Sequence, residues 1–368
     1  MVDYTDVFVI GGGPAGLAAA IAARQQGFRV TLADGAQPPI DKSCGEGLMP
    51  DSLPALEQLG INFSAQDCYP FLGVRFSAAG LTADAPFPSR CGLGVRRTTL
   101  HRLLSERAAI LGVDLLWGTP VTGIASGHVC VGNRWVGTKW IIGADGANSR
   151  VRRWANLDTC TQKNFRYAFR RHYRIAPWTD HMELYWSPRG QAYVAHVTDR
   201  EAIVGLMSRD PQFRADEALC GFPELNTRLQ GAEVISVERG ALSVTRRLER
   251  VYRDNVVLIG DASGTVDPIT AEGLGLSFRQ ALVLAEGLNS GDLPRYQAAH
   301  RRMSFRPLLM AGLMLTLDGR ARLQRRTLQI FRKRPELFRT LLALHVGDVS
   351  PLHVAWDGLT FGWELLTA

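Results

Sequence analysis

The sequence predicts an α/β fold, more fully α+β: a Rossmann-like dinucleotide-binding domain, an inserted antiparallel-sheet domain and a closing set of helices. Three observations predict it. The apolar run "DVFVI", residues 6–10, leads through Gly11-Gly12-Gly13-Pro14-Ala15-Gly16 into the helical spacing of "LAAAIAARQQG". Two further apolar strands, 140–144 and 256–259, end in "GADG" and "GDAS". Between and beyond them lie an alternating stretch in 182–208 and, from Pro294, a series of amphipathic stripes.

In the first unit, Gly11 permits a tight turn, Gly13 allows the backbone to approach a pyrophosphate and Gly16 lets the helix pack on the strand. Pro14 and Ala15 open the helix, whose N-terminus faces the phosphates, and Gly27 stops it. "FRVTLAD" is the second strand, and Asp34 at its end can accept hydrogen bonds from ribose hydroxyls. These residues alone leave NAD and FAD both open.

Composition sets the outer limits. The chain has 368 residues, 46% hydrophobic and 21% charged, enough for a large core in two lobes or one composite fold. The formal charge of +7 is carried mostly by dispersed arginine, which favours anionic small molecules. A pI near 9.3 raises nucleic acid, but no helix-turn-helix, zinc pattern or aromatic-basic platform accompanies it. "MVDYTD" lacks the features of a secretory signal, so the expectation is cytoplasmic. The six cysteines are widely spaced with no C-x-x-C pair, which predicts free thiols and no metal site. "PLLMAGLMLTL" is too short to span a bilayer, though it could lie against one. H-E-x-x-H, a P-loop lysine and G-x-S-x-G are all missing.

Taken in order, the three glycine-rich motifs resemble the flavoprotein monooxygenase superfamily typified by p-hydroxybenzoate hydroxylase, over residues 6 to about 290. The resemblance implies FAD as cofactor. It implies that Asp145 and Gly146 serve both FAD and a passing NAD(P)H, and that Gly260 and Asp261 bind the ribityl and pyrophosphate. "PITAEGLGL" would lie against the flavin ring, with Gly273, Leu274 and Gly275 opening a helix whose N–H groups favour negative charge there. "VRRTTLHRLL" resembles the family's arginine-x-x-leucine helix start, which places Arg97 close to the cofactor. Asp34 stands where the family more often has glutamate, a shorter reach to the ribose.

The implied organisation is an FAD-binding domain over 1–70, 91–160 and 250–293, a substrate domain over 71–90 and 161–249, and a helical region over 294–368. Within "DKSCGEGL", the pattern of Lys42, Cys44 and Gly45 resembles the geranylgeranyl reductases and the relatives of the flavin halogenases. That puts Cys44 beside the reacting ring. The tryptophan-x-tryptophan-x-isoleucine-proline run of halogenases is missing, the nearest stretch being "LYWSP".

In the antiparallel sheet, alternation offers Tyr185, Tyr193 and His196 to a pocket, and His196 could assist deprotonation of a phenol. The tail helices are expected to pack over the FAD domain, and "RLQRRTLQIFRKR" offers a peripheral membrane or acyl-carrier contact. "WDGLTFGWELLTA" would cover a substrate entrance or a subunit contact. The resulting expectation is an FAD-dependent monooxygenase that uses NAD(P)H and oxygen on an aromatic or polyketide-like molecule of secondary metabolism. The alternatives are an ene-reductase acting on an isoprenoid and, behind it, a halogenase or a non-catalytic flavin-binding protein. With no second complete G-x-G-x-x-G, NAD(P)H would bind transiently or be replaced by an external donor.

Overall fold

A run such as Val7–Ile10 is buried on both faces only at the centre of a parallel sheet covered by other layers. In the computed structural model, which describes residues 3–350, that is its position. The Tyr4–Ile10 strand lies between Val30–Asp34 and Arg134–Gly143, parallel to both, with Val9 opposite Leu32 and Ile142. Val256–Leu258 and Asp114–Trp117 extend the sheet on the two sides.

The Pro14–Gln25 helix is alanine-rich and almost wholly buried, because it is enclosed by the sheet and the Arg97–Ile110 and Gly273–Ser290 helices. Small side chains permit that close approach. Gly16 is the tightest point: a Cβ there would lie 1.8 Å from the Gly11 carbonyl oxygen.

A second sheet of nine strands stands beside the first. Its central strands are Arg239–Leu248, Cys160–Arg174, Glu201–Ser208, Gly190–Thr198 and His181–Ser187, each antiparallel to the next. The turns at "SPRG" and "TDRE" close its hairpins. Gly73–Ala78 joins parallel to His181–Ser187, and Leu81–Pro86 forms the edge. One face of this sheet packs on the short helices Ala215–Leu219 and Pro223–Leu229.

The opposite face meets the end of the chain, which corrects the expectation for the tail. The Leu293–Thr316 helix does run along Gly273–Ser290, but Ala321–Lys333 and Pro335–His345 cover the second sheet. Val74, Ala83, Ala85, Met182 and Leu184 present apolar surface on that face, and Leu328, Phe331, Phe338 and Leu342 bury it. Phe331 and Phe338 stack at 4.4 Å, with Phe76 5.1 Å from Phe338. The closing "WDGLTFGWELLTA" lies outside the described residues. No helix among the described residues is long and apolar enough to cross a membrane.

Candidate active site

The two sheets and the C-terminal helices enclose a cavity of about 1360 Å³. Its floor at one end is the first glycine turn. Gly11 has φ +111°, and a Cβ there would strike the Ala144 carbonyl at 2.5 Å, so the left-handed conformation and the close approach both require glycine. Gly13 faces open space, with the Arg97 guanidinium 3.8 Å from where a Cβ would stand. Pro14 and Ala15 line the same end.

Asp34 lines the cavity and is held by backbone. Its carboxylate accepts from the Gly12 N–H at 2.7 Å and the Ala36 N–H at 2.8 Å, which leaves lone pairs for a ribose. Asp145 also lines the cavity, but it caps its own turn, accepting from the Ser149 hydroxyl and the Arg150 and Val151 N–H groups. Gly146 beside it has φ +83°.

Asp261 is exposed and lines this cavity. Burial by the surrounding walls pushes its carboxyl upward, and Arg97, Lys42 and Arg246 partly counter that. Gly273 and Leu274, at the start of the 18-residue Gly273–Ser290 helix, open onto the same space.

Three predicted glycines shape the site without lining it. Gly16 packs on Gly11, Gly260 has φ +59° and sits against Ala15, and Gly275 packs on Ser52. Lys42, Cys44 and Gly45 form the next part of the wall, on the loop between Val30–Asp34 of the first sheet and Gly47–Leu48, a strand of a small three-stranded sheet. Cys44 is a half-buried free thiol whose sulfur accepts from the Glu46 N–H at 3.4 Å.

Glu46, unrecognised in the sequence, anchors this loop. It is buried at φ +57°, and its carboxylate accepts the Arg97 N–H at 2.9 Å and His172 Nε2 at 2.7 Å. Because the carboxylate can only accept, His172 carries its proton on Nε2 and takes the Ser236 hydroxyl at Nδ1, 2.9 Å away. Next to it, Arg170 pairs with Asp41. A glutamate between two glycines beside the cysteine was the available signal; its histidine partner, 126 residues away, was not.

Two predicted catalytic residues are displaced by the pleat. Tyr185 and His196 lie on the face of the second sheet turned from the cavity. Tyr185 donates to Glu183 at 2.9 Å inside that face's core. His196 lies edge-on to Trp178 at 4.6 Å and Tyr69 at 5.8 Å, with neither ring nitrogen hydrogen-bonded, and burial pushes it down to about 4. A neutral imidazole in an aromatic enclosure cannot reach a substrate in the cavity.

Tyr193 is the residue of that strand that faces inward. It stands opposite Leu184, its ring 3.6 Å from the Cβ position of Gly45, and its buried hydroxyl has no partner. Burial, with Cys44 and Glu46 adding to it, pushes its phenol well above the usual range, so the hydroxyl stays protonated. Gly47 leaves it room: a Cβ there would lie 2.7 Å from the oxygen.

Beyond Tyr193 the wall becomes apolar. Phe76, Met182 and Leu184 face Leu317, Phe331, Phe338 and Leu342, and His345 closes one side, its Nε2 held 3.1 Å from the Thr270 carbonyl. Among the described residues no cluster of side chains could hold a metal ion.

An open glycine cradle, the buried and unpartnered Arg97 Nε, a helix N-terminus at mid-cavity and an acid at each end of a dinucleotide track all fit FAD. The fold and site are those of a flavoprotein oxidoreductase. The chain belongs to the FAD-binding-domain family, whose model matches residues 4–290.

Among curated proteins, it is 30% identical over 353 residues to the menaquinone reductase of Mycolicibacterium smegmatis, covering 86% of each chain. It is 29% identical over 320 residues to digeranylgeranylglycerophospholipid reductase 1 of Methanothermobacter thermautotrophicus, covering 80% of each. It is also 29% identical over 342 residues to 6-methylpretetramide 4-monooxygenase of Streptomyces rimosus, covering 79% of this chain and 77% of that one. The protein is therefore an FAD-dependent oxidoreductase of the monooxygenase or reductase type.

Proposed function

We propose that the protein reduces a carbon–carbon double bond in a long, apolar, isoprenoid-bearing molecule, the alternative that the sequence ranks second. The observation that carries it is the apolar arm of the cavity, walled by Phe76, Met182, Leu184, Phe331, Phe338 and Leu342. The names of two relatives, which act on a quinone and on a prenylated phospholipid, support the same reading.

FAD, once bound and reduced, would supply the hydride. The chain's own residues do the rest. Gly11, Gly13 and Arg97 hold the dinucleotide, the Gly273 helix start orients the ring, and Leu184 and Phe338 exclude water. Tyr193, whose ring lines the cavity and whose buried hydroxyl must turn toward the substrate to act, gives the proton to the second alkene carbon, so that hydride and proton together saturate the bond, and the tyrosine is reprotonated from water after product leaves. Cys44 lies beside it and positions the alkene. NAD(P)H is the donor, its diphosphate met by the exposed Lys42 and Arg150 at the cavity mouth.

The deciding experiment incubates the reduced protein with a geranylgeranyl lipid under nitrogen and weighs the product. A gain of two hydrogens without oxygen is expected. An oxygen-dependent gain of one oxygen atom, with no anaerobic turnover, would make hydroxylation the activity instead.

A further inference from the structure

The Leu293–Thr316 helix carries an apolar stripe that faces outward. Phe305, Leu309 and Leu313 recur every fourth residue and are 61%, 39% and 49% exposed. The stripe is bracketed by cations: exposed Arg301 and Arg302 one turn before Phe305, and exposed Arg320, Arg322 and Arg325 just after the helix end. Asp318 is the acid of this stretch, and it is already taken by Arg209 at 2.9 Å.

The stripe is also continuous with the cavity. Leu313 and Thr316 are exposed and line the cavity, together with Met310 and Met314 beneath them. An apolar ridge between arginines, leading sideways into an apolar chamber, is what an interfacial helix at an anionic bilayer requires.

We propose that this face docks on anionic phospholipid and that the substrate passes from the bilayer into the cavity alongside Leu313 and Thr316. The basic rim favours a lipid surface, because the ridge continues into the chamber that accepts the apolar molecule. The inference rests on the reading above for its substrate and on the ridge alone for its docking.

The test is sedimentation of the full-length holoprotein with phosphatidylcholine vesicles, with and without phosphatidylglycerol. Binding is expected only with the anionic lipid. Phe305→Ser/Leu309→Ser and, separately, Arg322→Gln/Arg325→Gln should each weaken it by about tenfold or more. Both variants should keep their flavin spectrum and the wild-type rate on a short, detergent-dispersed prenyl substrate.

Failure of the wild type to bind anionic vesicles, or equal binding by the Phe305/Leu309 variant, would overturn the docking. So would a requirement for an acidic carrier protein in place of lipid. Vesicle binding without alkene reduction would leave the docking standing and remove the proposed chemistry, so the two can fail separately.

Discussion

At the scale of single residues, the pleat decides which side chains do chemistry. Tyr193 and His196 are three positions apart on one strand, so they point to opposite faces, and only Tyr193 meets the cavity. Tyr193→Phe is expected to lower the turnover number by about a hundredfold or more while FAD content stays unchanged, as measured by steady-state rates and the flavin-to-protein absorbance ratio. A KM effect alone would reduce Tyr193 to packing.

His196 gives the opposite kind of prediction. Its ordinary value is 6.5 and burial holds it near 4, so below pH 6.5 the unfolded chain binds a proton that the folded one refuses. Stability therefore falls as pH drops from 6.5 and the loss is complete below 4. His196→Phe should remove that part of the acid sensitivity, about 2 kcal/mol at pH 5 relative to pH 8, in parallel urea titrations. Because the comparison is between two proteins at each pH, titration of the carboxylates cancels from it.

At the scale of elements, the glycine turn and its helix are legible in the sequence, because strand, turn, helix and acid are consecutive and each needs only its neighbours. Gly16→Ala tests that unit. Its Cβ would meet the Gly11 carbonyl oxygen far inside contact distance, so the helix must move off the strand. The expected outcome is a protein purified largely without FAD and with a lower melting temperature. A variant that remained fully yellow would mean the helix can shift without losing the cradle.

The loop of Lys42, Cys44 and Gly45 is legible as a pattern, but its anchorage is not. Glu46 is held by His172 on a strand of the other sheet, a pairing set by the crossing of two chain segments. The tail helices show the same limit: their stripes are readable, while the surface they cover is decided by which sheet face remains apolar.

At the scale of the molecule, the second sheet is tied by charge to the segment that leads from it to the Gly273–Ser290 helix. Arg166, in the Cys160–Arg174 strand, lies 3.6 Å from Asp267, which follows the Gly264–Thr265 strand of the same sheet and caps the turn Pro268–Thr270, and both side chains are fully buried. Arg166 also donates to Gln191 at 3.0 Å, and Asp267 accepts the Ile269 N–H at 3.1 Å. Removing one charge leaves the other buried and unpaired, which costs about 3–5 kcal/mol. Asp267→Asn should lower the unfolding midpoint accordingly, and adding Arg166→Met should recover part of the loss. If the double variant is as unstable as the sum of the singles, the two buried charges do not interact.

The sequence by itself determined the first glycine turn between strand and helix, the acid that ends the next strand, the order of the glycine-rich motifs and the antiparallel hairpins of the second sheet, because each of these is written in a short continuous stretch of chain. Only the tertiary structure decided that Tyr193 and not His196 faces the cavity, that Glu46 locks the Cys44 loop through His172, and that the last helices build an apolar chamber. Those features require surfaces from distant parts of the chain to meet. Which surfaces meet is settled by burying the apolar faces of all elements at once, a condition that no local stretch contains.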